Sequence, residues 1–304
     1  VITATIERPR PAYLLPDLAE HPALNRPIYR YDHGNKRWYC AVNGDEPQWA
    51  VSVTSLIHAT RPTSEHLMAW RANLGNDGYH QVLAEKSAYG TWMHILWTRA
   101  LITGKYTLDE DYLRAQLQDC PTGLENEWVD AGQSDLLALA AWAAERQPEV
   151  LAIEPVMLHA INGWYGGALD LVCRLDWNRV RVVAIVDFKS GRKGFYENHE
   201  IQLHTYKGIW NSYFAGTEYE VTHVFNLAPN DWKTKPGCKF VNQTDKETRE
   251  IIPHMLQMFL ADSQCRLKPP DVTRYRGTHT LGEPVDGKAE TITPLEIIKE
   301  RMGF

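Results

Sequence analysis

The chain has 304 residues, 44% hydrophobic and 11% aromatic, with 32 Lys and Arg against 38 Asp and Glu, for a formal charge of −6. That mixture can bury a substantial core and excludes a disordered or collagen-like chain; the net negative charge argues against a passive basic coat for nucleic acid but not against a local basic groove. The longest uninterrupted apolar run, Leu136–Ala144, is nine residues, short of the ~20 that span a bilayer, and no charged-then-apolar leader follows Val1, so neither a membrane protein nor an exported precursor is expected.

Five cysteines, Cys40, Cys120, Cys173, Cys238 and Cys265, stand no closer than 27 positions apart. An odd, scattered set without Cys-x-x-Cys predicts free thiols and no zinc site. The expected location is therefore intracellular, cytoplasmic in a bacterial or phage-like setting, an organellar matrix being also open.

In chain order, the first ~25 residues hold Pro9, Pro11, Pro16 and Pro22 and read as an irregular arm. Tyr29–Asp32 and Arg37–Val42 flank His33-Gly34-Asn35-Lys36 as a small hairpin. From Thr54 the period turns helical: Ser64–Leu74, Ala84–Ile102 ended by Gly104, Asp109–Leu117, and Ser134–Arg146 stopped by Pro148. Strands follow. Val150–Ile161 meets Asn162-Gly163, a strong hairpin signal, and Trp164–Leu175 returns. Asn178-Arg179 then turns the chain into Val180–Phe188. Glu200–Phe214 reads as a helix, Tyr219–Leu227 as a strand, and Lys246–Ala261 as the last helix. Pro269–Pro294 holds four prolines and little periodicity. The expected fold class is α/β with an α+β flavour, divided into an arm and hairpin over 1–50, a main domain over 51–262 with a helical insertion around 105–147, and an arm or tail over 263–304.

The chemistry concentrates in Gly167-Ala168-Leu169-Asp170 and in Ile185-Val186-Asp187-Phe188-Lys189-Ser190-Gly191. Asp-x-Lys occurs three times, at Asp187-Phe188-Lys189, Asp231-Trp232-Lys233 and Asp286-Gly287-Lys288, but only the first ends an apolar β-branched run. On a strand, positions 187 and 189 share a face, so a carboxylate and an ammonium converge. A two-residue Asn178-Arg179 turn makes paired positions sum to 357 and sets Asp170 opposite Asp187, with Cβ atoms ~5 Å apart. Two carboxylates so close repel unless a cation sits between them, and Mg²⁺ takes such oxygens while leaving room for water and phosphate. A two-residue Asn162-Gly163 turn makes pairs sum to 325, which opposes Glu154 to Leu171 on the wrong face. One bulge at Gly166-Gly167 would bring Glu154 to the Asp170 face, so Glu154 stands between site residue and solvated strand carboxylate. Gln202 and Tyr206 lie one turn apart on a helix, and His94 follows Gly90-Thr91-Trp92-Met93 inside an apolar helix. Taken singly, these read first as a packed stripe and a hydrogen-bonded core histidine, and only second as site residues.

Together and in this order, Gly90-Thr91-Trp92-Met93-His94, Gly167-Ala168-Leu169-Asp170, Asp187-Phe188-Lys189 and Gln202-Leu203-His204-Thr205-Tyr206 resemble the PD-(D/E)xK nuclease superfamily, within it the RecB-like exonucleases. The resemblance covers roughly residues 50–228. Ser52-Val53-Thr54-Ser55-Leu56-Ile57 with Leu67-Met68-Ala69-Trp70-Arg71 is similar to exonucleases of the mitochondrial genome maintenance type and their phage relatives. Two departures stand out: Thr98 occupies a position where many relatives carry an acid, and only Cys238 and Cys265 follow the core, unlike the iron–sulfur nucleases of CRISPR adaptation.

The resemblance implies a restriction-endonuclease-like core, a central mixed sheet with an antiparallel meander, flanking helices and extra N-terminal helices. It implies a metal-dependent DNA exonuclease acting on single-stranded DNA or DNA with a free end, in replication, repair or recombination. Asp170, Asp187, the Phe188 carbonyl and His94 would hold Mg²⁺ or Mn²⁺, with no iron–sulfur cluster, and Glu154 would join the catalytic carboxylates. Lys189 would orient the attacking water. Gln202, Tyr206, Arg192 and Lys193 would brace the site or contact DNA. The alternatives are a structure-specific or restriction-type endonuclease and a non-catalytic DNA-binding module on a nuclease fold. Oligomeric state is not encoded by these motifs.

Overall fold

Asn178 and Arg179 both take left-handed backbone, with φ of 49° and 66°, the geometry of the tight two-residue turn whose twist suits a hairpin. The strands it joins are paired at positions summing to 357, from Val180↔Trp177 to Val186↔Leu171. This register comes from a computed structural model that describes residues 5–34, 36–43, 46–63, 65–161, 163–192, 194–245, 251–262, 265–274 and 290–302.

The N-terminal elements are β1 (Thr5–Glu7), β2 (Tyr13–Leu14), α1 (Pro16–Ala19), α2 (Pro22–Asn25), β3 (Ile28–His33), β4 (Lys36–Asn43) and β5 (Glu46–Ser52). Helices α3 (Val53–Thr60), α4 (Glu65–Thr103), α5 (Glu110–Ala115) and α6 (Glu125–Arg146) come next. The centre runs β6 (Glu149–Ile153), β7 (Val156–Leu158), β8 (Tyr165–Ala168), β9 (Leu171–Trp177), β10 (Val180–Phe188), α7 (Glu197–Phe214), β11 (His223–Pro229) and β12 (Cys238–Asn242). The chain ends with α8 (Ile251–Ala261), β13 (Val272–Arg274), β14 (Glu290–Ile292) and α9 (Pro294–Met302).

Among the described residues, two six-stranded ladders form, in the orders β1-β3-β4-β5-β8-β7 and β12-β11-β10-β9-β6-β2. Pairing is antiparallel except for β5 with β8 and β10 with β11. The result is a mixed α/β fold, a curled mixed sheet flanked by helices. The curl originates at Glu154-Pro155. Proline offers no N–H to a ladder, and Glu154 turns to φ 54°. Each of the two long strands expected over 150–175 therefore splits, so that β6 and β9 stay in one ladder while β7 and β8 enter the other.

The hairpin register differs from expectation for a related reason. Pairs from Val156↔Ala168 to Leu158↔Gly166 sum to 324, and the His159 N–H donates to the Tyr165 carbonyl. The connection is thus a longer loop, Ala160–Trp164, instead of a two-residue turn; Asn162 itself lies outside the described residues.

The helices also run further than their periodicity suggested. Residues 75–83 continue α4, where Gly75 alone leaves helical geometry, at φ 68°, and Asn76-Asp77 supply polar residues suited to a restarted helix. Helix α6 begins nine residues before Ser134, with Glu125 and Glu127 in its first turn, where negative charge meets the positive helix end. Gly132, inside α6, is a packing contact: a Cβ there would run into the Trp92 ring.

Alternation along β10 sorts the core. Val182, Ala184, Val186 and Phe188 face Trp92, Trp97 and Leu139 of α4 and α6. Ile185 lies opposite, with Ile201, Ile209 and Trp210 of α7 and Leu56 of α3. Asp187 and Lys189 have the parity of Ile185, so the strand delivers them to the α7 side. The segment expected as an irregular tail instead carries the β13–β14 ladder and α9, whose Ile298 is buried with Tyr29, Tyr31, Trp38 and Cys40. The N-terminal strands likewise join the ladders of the main domain: β2 pairs β6, and β5 pairs β8.

Candidate active site

Strand β10 ends with Asp187 only 1% exposed. Its carboxylate accepts from Lys189 Nζ at 3.0 and 2.8 Å and from Asn226 Nδ2 at 2.9 Å. Asn226 sits beside it because β11 pairs with β10 in the register Asp187↔Asn226. Gln243 Nε2 donates to Asn226 Oδ1 at 3.1 Å, and His204 Nε2 meets the Gln243 carbonyl at 2.9 Å. A carboxylate out of water needs such partners. Sequence reasoning missed Asn226 and Gln243, although an Asn in the middle of the apolar run Val224-Phe225-Asn226-Leu227 was a readable signal.

Asp170 stands just past the last paired residue of β9, opposite Asp187 as the register requires. Its Oδ2 accepts the Phe188 N–H at 2.7 Å, leaving Oδ1 turned toward His94, whose Nδ1 is 3.9 Å away. His94 Nε2 lies 3.2 Å from the Phe188 carbonyl. A carbonyl only accepts, so that nitrogen carries the hydrogen, and in a neutral ring Nδ1 keeps the free lone pair. Asp170 Oδ1 and His94 Nδ1 therefore present lone pairs to a common space.

Four contacts then bind the motifs to one another. Lys189 Nζ also donates to Gln202 Oε1 at 3.3 Å, and Gln202 Nε2 donates to the Tyr206 hydroxyl at 3.1 Å. The Tyr206 ring packs on Gly167, where a Cβ would come within 2.5 Å of it. A Cβ on Gly90 would lie 3.0 Å from Ser190 Oγ, so that glycine lets α4 approach the loop after Lys189. His94 completes the set through Phe188.

Charge follows from this packing. Burial raises the Asp187 pKa and the Asp170 charge adds to it, while the Lys189 ammonium pulls it down without cancelling the rise. Burial alone would lower the Lys189 pKa, but Asp187 and Asp170 outweigh it, and the ammonium is held above its ordinary value. Burial raises the Tyr206 phenol well above its usual range. His199, at the start of α7, was not singled out by sequence. Burial and then Lys189 push its pKa down to about 4, and its Nδ1 accepts the Tyr196 N–H at 3.3 Å.

The other expected residues are placed differently. Glu154 neighbours Asp170 through its backbone, its N–H donating to the Asp170 carbonyl at 3.2 Å, but its side chain is exposed at a left-handed position. It is not brought to Asp187 and Lys189. The Arg192 guanidinium binds Asp135, which is 1% exposed, and donates to the Asn230 carbonyl at 2.9 Å. Tyr89 donates to the other Asp135 oxygen at 2.7 Å. Arg192 is thus a brace between α6 and the loops after β10 and β11. Lys193 lies outside the described residues.

The donor set suits a hard cation: a free Asp170 oxygen, the Asp187 carboxylate, the second lone pair of the Phe188 carbonyl and the His94 imidazole. Burial is the main reason that the Asp187 pKa is raised, and the Asp170 charge adds to it; that added repulsion is what a cation would relieve. Among the described residues, no three His, Cys, Asp or Glu side chains stand together as a group that could hold a metal ion. No described helix is long and apolar enough to cross a membrane.

Comparison with known proteins assigns no family: no family model matches, and no curated protein matches. Among solved structures, that of SSO0001 aligns at 14% identity over 46% of this chain and 70% of its own, with a TM-score of 0.26, a likeness too weak to carry an argument.

Proposed function

We propose that this chain is a metal-dependent deoxyribonuclease of the PD-(D/E)xK type, an exonuclease of the RecB-like kind that hydrolyses phosphodiester bonds from a DNA end. The observation that carries the reading is the convergence of three motif fragments, spread over more than a hundred residues, on a fourth, Asp187-Phe188-Lys189. His94 meets the Phe188 carbonyl, Asp170 accepts the Phe188 N–H and Gln202 accepts from Lys189, while Gly167 packs against the ring of Tyr206.

Asp170, Asp187, the Phe188 carbonyl and His94 would hold Mg²⁺ or Mn²⁺. Such an ion polarises the scissile phosphate and acidifies a water when bound. Lys189, kept protonated by Asp187 and Asp170, serves as a donor and fixed positive charge, not as a base. It orients the attacking water and offsets charge developing on the phosphate oxygens. Gln202, itself held by Tyr206, fixes where that ammonium points. DNA with a free end, single-stranded or made so, is the expected substrate.

The reading predicts that Asp187→Ala and Lys189→Ala each abolish Mg²⁺-dependent cleavage of a labelled single strand while the circular dichroism spectrum stays that of the wild type. Full activity in both folded variants would remove the site assignment.

A further inference from the structure

The strand registers extend the site sideways. Beyond Phe188↔Leu227, Lys189 stands next to Ala228, and Ala228 is paired with Lys239 on β12. Asn226 reaches Asp187 from the same face of β11 that carries Ala228, so Lys239 projects to the side of Lys189. Two strand spacings separate them, roughly 10 Å. Phosphates along one strand of a duplex recur every ~3.4 Å of rise, and further apart when the strand is extended. A strand with one phosphate at Lys189 therefore carries another at Lys239 within a few nucleotides.

What surrounds Lys239 is suited to that use. Its ammonium lies over the Phe195 ring, 5.8 Å from the centroid, and among the described residues no carboxylate forms an ion pair with it. The loop backbone passes beneath it at Gly194, which has φ 138° and where a Cβ would lie 3.4 Å from the ammonium. Next along the loop, Tyr196 leaves 53% of its surface exposed. Its backbone N–H is fixed by His199 at 3.3 Å, with the two rings edge-on at 5.5 Å. The loop between β11 and β12, closed by Asn230 N–H to the Gly237 carbonyl at 3.1 Å, adds exposed Lys233 and Lys235 at the same end of the sheet. A local basic rim with an exposed aromatic thus stands on a chain whose net charge is −6.

We propose that Lys239, steadied by Phe195, and Tyr196 form a nucleotide subsite flanking the cleavage centre, Lys239 taking a backbone phosphate and Tyr196 stacking a base of a single strand. The inference rests on the nuclease reading and adds to it the path by which the strand leaves the centre. An arrangement of this kind binds by charge and stacking, without sequence preference.

The test is equilibrium binding of fluorescein-labelled oligo(dT) to the full chain in EDTA across a salt series, for wild type, Lys239→Ala, Lys239→Arg and Tyr196→Ala, with Mg²⁺-dependent cleavage measured in parallel. Each phosphate contact to a single strand contributes about −0.7 to the slope of log affinity against log salt. Lys239→Ala should lose that increment, so that the wild type's advantage shrinks about 2.6-fold between roughly 50 and 200 mM salt, and Lys239→Arg should restore it. Tyr196→Ala should lose at least about fivefold in affinity with the slope unchanged. Wild-type slope in Lys239→Ala and wild-type affinity in Tyr196→Ala, beside intact metal-dependent cleavage, would overturn the subsite and leave the nuclease reading standing. A wild-type chain that neither binds nor cleaves the oligonucleotide would overturn both.

Discussion

Gly167 and Tyr206 meet more closely than any side chain at position 167 would allow, and that contact reaches the centre through hydrogen bonds from Lys189 to Gln202 and from Gln202 to Tyr206. Gly167→Ala must displace the ring. Overpacking of this kind costs about 1–3 kcal/mol, and the Gln202–Lys189 geometry moves with it. Urea unfolding should register that loss, and cleavage assayed well below the unfolding transition should fall more than the unfolded fraction explains. Unchanged cleavage would show that Tyr206 does not help to set Lys189. Asp187 supplies a second test. Its raised pKa means that its contribution to metal-free stability is present below the unfolded value of ~3.9 and is lost as pH rises through the folded value. A divalent cation competes with that proton, so Mn²⁺ affinity should weaken on acidification at a higher pH than an ordinary carboxylate would give. Calorimetric titration of Mn²⁺ across a pH series, in the wild type and in His94→Ala, checks this, and an affinity in His94→Ala that does not change with pH would contradict it. Asp170, Asp187 and Lys189 were legible in the sequence because strand parity and one turn fix their relation. Glu154 was not, because Pro155 and a left-handed residue break the alternation on which parity depends.

Among elements, the brace between Asp135 and Arg192 ties α6 to the loop that carries the chain from Lys189 to α7. Removing Arg192 leaves a carboxylate that is 1% exposed with Tyr89 as its remaining side-chain partner among those described. Breaking one partner of a buried pair typically costs about 3–5 kcal/mol; Arg192 is 26% exposed, which favours the lower end. Arg192→Ala should therefore destabilise by about 3 kcal/mol, with coupling to Asp135→Asn in a double-mutant cycle of urea unfolding. Additive effects would show that the pair is not a brace. The Asn178-Arg179 turn and the end of β10 were readable from residue type. The brace was not: Arg192 follows a lysine-bearing motif and looks like a phosphate contact until α6 is placed against it. The place of Gly132 inside α6 was equally hidden, since only the packed Trp92 ring reveals why a glycine belongs there.

At the scale of the whole molecule, the helix–meander–helix–strand order expected over 134–227 gave the mixed α/β class, because it rests on periodicity. The terminal regions were less readable. Strands β1, β2, β13 and β14 are only two or three residues long, and α9 gains its place from burial of Ile298 against β3 and β4, over 250 positions away in sequence. Non-local pairing of that kind leaves little local trace. The proposed function turns on one claim, that the residues converging at Asp187-Phe188-Lys189 cut DNA from an end with a metal. The most direct measurement sets linear single strands labelled at the 5′ or 3′ terminus beside a covalently closed circular strand, each with Mg²⁺ or EDTA. The account predicts loss of the linear strands only with Mg²⁺, with the circle intact. A cut circle would make the enzyme an endonuclease, and linear strands bound but uncut in Mg²⁺ would contradict the catalytic reading altogether.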